Sequence, residues 1–148
     1  MMSKQATFLL LEQNNSNKSD NDLLLFCACQ QAAIAYRQQQ KVFIYTQDQT
    51  QAHALDEMLW AYEPDSFVPH NLMGEGPSHG SPVEISWQAP TNRRAFLINL
   101  TANVPPFAQQ FNQVIDFVPT NEELKQQARQ RYRAYQQAGF AVKMHPEK

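Results

Sequence analysis

"QVIDFVPTNEELKQQARQRYRAYQQAGF", residues 113–140, changes its periodicity at Pro119. Upstream, Val114, Ile115, Phe117 and Val118 form a short apolar run, as in a strand buried on both faces and ended by proline. Downstream, Thr120 and Glu123 make a Thr-x-x-Glu capping box, and Gly139 stands where a helix C-cap belongs. The spacing predicts a helix with Leu124, Ala128, Tyr135 and Ala138 on one face, packed against a sheet. A strand followed at once by an amphipathic helix is the unit of an α/β layer fold.

The same alternation runs through the rest of the chain. "ATFLLLE" (6–12) reads as a buried strand, and "QNNSNKSDND" (13–22) as a loop whose Ser19 or Asp20 caps the next helix. That helix, 21–39, is expected to turn Leu23, Phe26, Cys27, Ala33 and Ile34 towards the core. "KVFIYT" (41–46) is a second strand, and "QDQTQAHALDEMLWAY" (47–62) a helix with Ala52, Leu55, Leu59 and Tyr62 at helical spacing. "PVEISW" (82–87) and "RAFLINL" (94–100) are further strands, and "PPFAQQFNQ" a short helix with proline in its first turn. The pattern predicts one domain over 1–148, a three-layer α/β/α fold of Rossmann-like topology. The 82–100 pair breaks the alternation and is expected to be antiparallel, making the sheet mixed but mostly parallel. The 13–22 loop and the 141–148 tail are expected to be flexible.

With 148 residues the chain is long enough to bury a core without disulfide or metal staples. Only 18% of it is charged, glutamine and asparagine making up the difference, and the net charge is −2. No apolar run approaches the ~20 residues of a membrane span, and the N-terminal stretch lacks a secretory cleavage pattern, so a cytoplasmic protein is expected. On a helix Cys27 and Cys29 project about 200° apart, which reads as two small buried thiols rather than a metal grip. Histidines 53, 70, 79 and 145 have no zinc-like spacing.

Chemistry finds little support. Gly74, Gly76 and Gly80 give G-x-G-x-x-x-G leading into a strand, whereas a dinucleotide fingerprint follows a strand and opens a helix. Ser81 and Ser86 lie near His79 without a nucleophile elbow. Glu84 and Asp116 are a conceivable carboxylate pair, each inside an apolar strand pattern; Asp116 alternatively pairs with a helix cation or faces an open edge. No cofactor is expected. A small nucleotide-dependent α/β enzyme and a direct single-stranded nucleic-acid binder remain as alternatives, the second weakened by a pI near 6.0.

Two features of the surface stand out instead. Lys125, Arg129 and Arg133 recur at i, i+4, i+8 on the last helix, with Tyr132 beside Arg129. That stripe is either a solvated helix face or a dock for an acidic peptide with an apolar anchor. "LWAYEPDSFVPHNLMGEGP" (59–77) sets Trp60, Tyr62, Phe67 and Met73 among prolines and glycines, where the backbone reads as a surface loop and large apolar side chains either fold back over the core or await a partner.

"LDEMLWAYEPDSFVPHNLMGEGPSHGSPVEISW" followed by "VIDFVPTNEELKQQARQRYRAYQQAGF" closely resembles the chi subunit family of bacterial DNA polymerase III. The likeness runs from "ATFLLLE" to "AGF", departing at 13–22, at 88–94 and after Phe140. It implies a non-catalytic accessory protein with two partners, a monomer or a heterodimer with the first of them. One is the psi subunit, which ties chi to the clamp loader. The other is single-stranded DNA-binding protein, whose disordered C-terminus ends in acidic residues, then Ile-Pro-Phe, and through which the contact with DNA is indirect. By the resemblance Arg129, Tyr132, Val118 and Trp60 form the tail site, with Lys125 and Arg133 attracting its acids. Phe67, Pro69 and His70 would face psi.

Overall fold

The computed structural model describes residues 4–11, 20–62, 69–72, 82–90 and 95–145. In chain order these form β1 (Gln5–Leu10), α1 (Asp20–Arg37), β2 (Val42–Tyr45), α2 (Gln49–Tyr62), β3 (His70–Leu72), β4 (Val83–Ser86) and β5 (Phe96–Asn99). A 3-10 turn at Ala108–Gln110, β6 (Gln113–Val118), α3 (Glu122–Gln137) and β7 (Ala141–His145) follow. The strands join in one sheet in the order β3-β4-β2-β5-β6-β1-β7.

The layered α/β fold is as expected, and among the described residues its sheet is parallel throughout rather than mixed. Every pairing among the described residues is parallel. The anticipated antiparallel pair over 82–100 does not form, because β4 and β5 lie on opposite edges of β2, each parallel to it. Val42, Phe43 and Ile44 are fully buried, so β2 is a central strand with both edges to fill. Two apolar runs close in sequence can therefore become its neighbours without touching each other.

Two strands were not anticipated. β3 lies inside the proline-rich stretch and pairs with β4 at one edge. Residues 141–145, expected in a flexible tail, form β7 and pair with β1 from Gln5↔Ala141 to Leu9↔His145. The turn feeding β7 explains why. Gly139 adopts φ +97°, its N–H donates to Gln136 O, and the Phe140 N–H donates to Tyr135 O. This Schellman closure brings the Phe140 ring to 5.5 Å from Tyr135 and sends the chain back along the sheet. The N-terminus of α3 also differs: Asn121, not Thr120, is the N-cap, its side chain accepting from Leu124 N–H.

Strand alternation divides the interior into two cores. Val42, Ile44, Val83, Ile85, Ile98, Ile115 and Phe117 face α1 and α2. Ala6, Phe8, Phe43, Leu97, Val114 and Val118 face α3 and the 107–111 segment. There Phe107 meets Tyr45 edge-on at 4.8 Å, so a short turn suffices where a helix would otherwise be needed to cover β2. On α1 the buried residues are Leu25, Ala28, Cys29, Ala32, Ala33 and Ala35, whereas Ile34, expected inside, is 44% exposed. "LLLFCACQQAAIAY" is apolar on several faces, and the small residues let the helix approach the sheet closely. Cys27 and Cys29 are not joined in a disulfide, and burial raises the Cys29 thiol to about 12. Among the described residues no helix is long and apolar enough to cross a membrane.

Candidate peptide-docking site

Helix α3 carries two sets of polar side chains, and the sheet decides which is which. Ala128, Arg131 and Tyr135 form its buried stripe at i, i+3, i+7. Leu124, placed on that stripe by the sequence, is instead 37% exposed. Arg131 is only 7% exposed because Asp116 of β6 points to the same side of the sheet as Val114 and Val118. Its Nε lies 3.1 Å from both Asp116 carboxylate oxygens and its Nη2 3.0 Å from Oδ1. Nη2 also donates to Phe117 O, and Nη1 to Ala102 O. Tyr135 OH donates to Asp116 Oδ2 at 3.0 Å, and Asn99 Nδ2 donates to the same oxygen. Burial drives the Asp116 carboxyl up, against the opposing pull of Arg131. Burial, reinforced by Asp116, holds the Tyr135 phenol well above its ordinary value.

This network settles the reading of the two carboxylates. Asp116 pairs with a helix cation. Glu84 lies on β4, and β2 and β5 intervene between β4 and β6, a separation of about 14 Å at ordinary strand spacing. They form no pair.

The other side of α3 borders an apolar recess of about 370 Å³. Phe8 and Leu10 of β1, Val118 of β6 and Met144 of β7 line it together with Ala128 and Tyr132 of the helix. The Tyr132 ring stands 5.4 Å from that of Phe8, tilted by 46°. Lys125, Arg129 and Arg133 complete the lining, so three cations border one apolar hollow. Lys125 Nζ lies 3.7 Å from Glu122, an exposed contact of little energetic weight. Arg129 and Arg133 make no ion pair among the described residues, although Glu122 and Glu123 stand on the same helix.

The structure thus brings together Arg129, Tyr132, Val118, Lys125 and Arg133. It does not bring Trp60 to them. Trp60 lies near the C-terminal end of α2, a helix of the other core, and its indole packs at 4.9 Å against His70 of edge strand β3. His70 in turn lies 3.2 Å from Asp56. The recess sits at the β6-β1-β7 end on the opposite face, so the expectation that Trp60 lines it is corrected. Its 60% exposure leaves it on the surface beside Pro69 and His70. Phe67, Gly74, Gly76 and Gly80 lie outside the described residues. Phe8, Leu10 and Met144 were missed, since only strand order places β1 and β7 beneath α3.

A second crevice, of about 260 Å³, opens where α/β sheets commonly hold nucleotides, beyond the carboxyl ends of β2, β5 and β6. The protein's own groups bridge it. Gln47 Oε1 accepts from Ala102 N–H across the gap between the β2 and β5 connections, and Arg131 holds the Ala102 carbonyl.

The strand–helix unit that builds the recess lies within a stretch, residues 2–143, that matches the family model described as "DNA polymerase III chi subunit, HolC". The chain belongs to the DNA polymerase III chi subunit family. Among its relatives, the protein named DNA polymerase III subunit chi in Escherichia coli K12 is 46% identical over 139 residues, covering 93% of this chain and 94% of that protein. Its namesake in Haemophilus influenzae is 41% identical, with 94% of each chain covered. That of Pseudomonas aeruginosa is 33% identical, covering 86% of this chain and 89% of its own. Membership in this family makes the chain a subunit of a replicative polymerase assembly, an accessory component with partners in the holoenzyme.

Proposed function

We propose that the chain joins the clamp-loader complex, through psi, to the C-terminal tail of single-stranded DNA-binding protein, and that it has no catalytic activity of its own. The recess on α3 carries this reading. Its apolar floor suits the tail's terminal phenylalanine, and Arg129 suits the α-carboxylate that accompanies it. Lys125 and Arg133 extend the positive rim towards the acidic residues upstream. The far edge of the sheet supports a separate psi surface, with Trp60 now beside Pro69 and His70, and Phe67 in the segment leading to them. Such a bridge works in the cytoplasm and touches DNA only through its partner.

Titration calorimetry against three ligand classes tests the proposal: nucleotides, a single-stranded oligonucleotide, and an acidic peptide ending in Ile-Pro-Phe. Heat is expected with the peptide alone. Binding of a nucleotide with turnover, or of the oligonucleotide in preference to the peptide, would return the function to one of the two alternatives.

A further inference from the structure

One contributor to the recess is chemically unlike its neighbours. Met144 of edge strand β7 lines it beside Phe8, Val118 and Tyr132, and is partly exposed while packing against the second core. A thioether is oxidised where an oxidant can reach it, and the sulfoxide is polar and chiral. The chain has five methionines. Met58 packs against the first core on the other face of the sheet, and Met1, Met2 and Met73 lie outside the described residues.

We infer that Met144 is a reversible oxidation site that weakens occupancy of the recess. The inference rests on the docking role proposed above. A sulfur lone pair of Met144 takes one oxygen from hydrogen peroxide as the O–O bond breaks. The sulfur is oxidised by two electrons, and the peroxide is reduced and leaves as water. The new S–O dipole then stands in an apolar hollow, where a bound phenyl side chain would strip it of water. The same oxygen is a hydrogen-bond acceptor in the recess that holds Arg129, so it competes with an incoming carboxylate for that guanidinium. Both effects act on bound peptide and neither needs the fold to change.

The test uses the full chain, peroxide, and the acidic peptide ending in Ile-Pro-Phe, with peptide mapping by mass spectrometry to follow each methionine. Conversion of Met144 to sulfoxide is expected to weaken peptide binding about tenfold, a modest value for burying an unpaired polar group. Methionine sulfoxide reductase should restore it. Met144→Leu, a near-isosteric exchange, should lose the sensitivity to peroxide whatever its starting affinity, so that treated and untreated variant bind the peptide alike. Unchanged affinity at full conversion of Met144, resistance of Met144 to peroxide, or an equal loss in Met144→Leu each overturns the inference. Failure of the untreated protein to bind the peptide instead overturns the docking role, and this inference with it.

Discussion

Arg131 and Arg129 stand two residues apart on one helix, yet their surroundings have little in common. Arg131 is buried against the sheet, spending its guanidinium on Asp116, Phe117 O and Ala102 O. Arg129 is exposed at the rim of an apolar recess, with no ion pair among the described residues. A two-residue step turns a helix by about 200°, enough to place one cation under the helix and the next on its outer side. Identical chemistry therefore does opposite work. The first guanidinium secures α3 to β6 and the β5 connection, and the second stands exposed at the rim of the recess.

The sharpest way to break this comparison is to remove the buried carboxylate. Asp116→Ala leaves Arg131 enclosed without its counter-charge and is expected to destabilise the fold by about 3–5 kcal/mol, seen as a lower denaturant midpoint. Replacing the pair together, Asp116→Leu with Arg131→Met, should cost far less than the two single losses combined. If Asp116→Ala is neutral, the network does not anchor the helix.

Trp60→Ala tests the division at the scale of the whole sheet. Psi binding should weaken by about 2 kcal/mol or more, the usual size for a buried aromatic anchor. Tail affinity should stay within about 0.5 kcal/mol, as for a residue remote from the site. Calorimetry with both partners measures each effect, and a reversed pattern would put the indole back in the tail site.

Arg129→Ala should weaken tail binding by roughly 1.5–3 kcal/mol, the range for hydrogen bonds to charged groups, while leaving the denaturant midpoint nearly unchanged. Amidating the peptide's C-terminus should reproduce the loss. Combined, the two changes should cost much less than their sum, because they remove one contact. Full additivity would mean that the carboxylate is held elsewhere.

Tyr135→Phe probes the buried side by pH. Removing the hydroxyl that donates to Asp116 should cost about 1–2 kcal/mol at neutral pH. Because the folded phenol titrates above the unfolded one, its contribution is complete below the unfolded value of about 10 and fades as pH rises beyond it. The gap between wild type and variant should therefore shrink in alkali. A gap that widens instead would contradict the burial of this hydroxyl.

The smallest effect belongs to Lys125 and Arg133. Either change to Ala should cost tail binding less than about 1 kcal/mol and mainly flatten its dependence on salt, since exposed charges are screened within about 8–10 Å. Equal losses at low and high salt would indicate short, desolvated contacts instead.

How much of this was legible beforehand depended on whether the signal was local. The runs of β1, β2, β4, β5 and β6, the three helix spans, the Gly139 cap and the Lys125–Arg129–Arg133 stripe follow from side-chain volume and backbone periodicity within a few residues, and the amino-acid order alone determines them, whereas β3 and β7 owe their strand form to the edges they pair with. The family likeness supplied the proposal of particular partners, which no spacing could. Three further things waited for the tertiary structure. Asp116 and Arg131 are 15 residues apart in the chain, and only the packing of α3 on β6 makes them a pair. The parallel placement of β4 and β5 on either side of β2 depends on which edges remain open, a property of the assembled sheet. Trp60 and Tyr132, placed together in one site by the resemblance, lie on opposite faces and near opposite ends of that sheet, because strand order is set by the joint burial of all its strands and written in none of them.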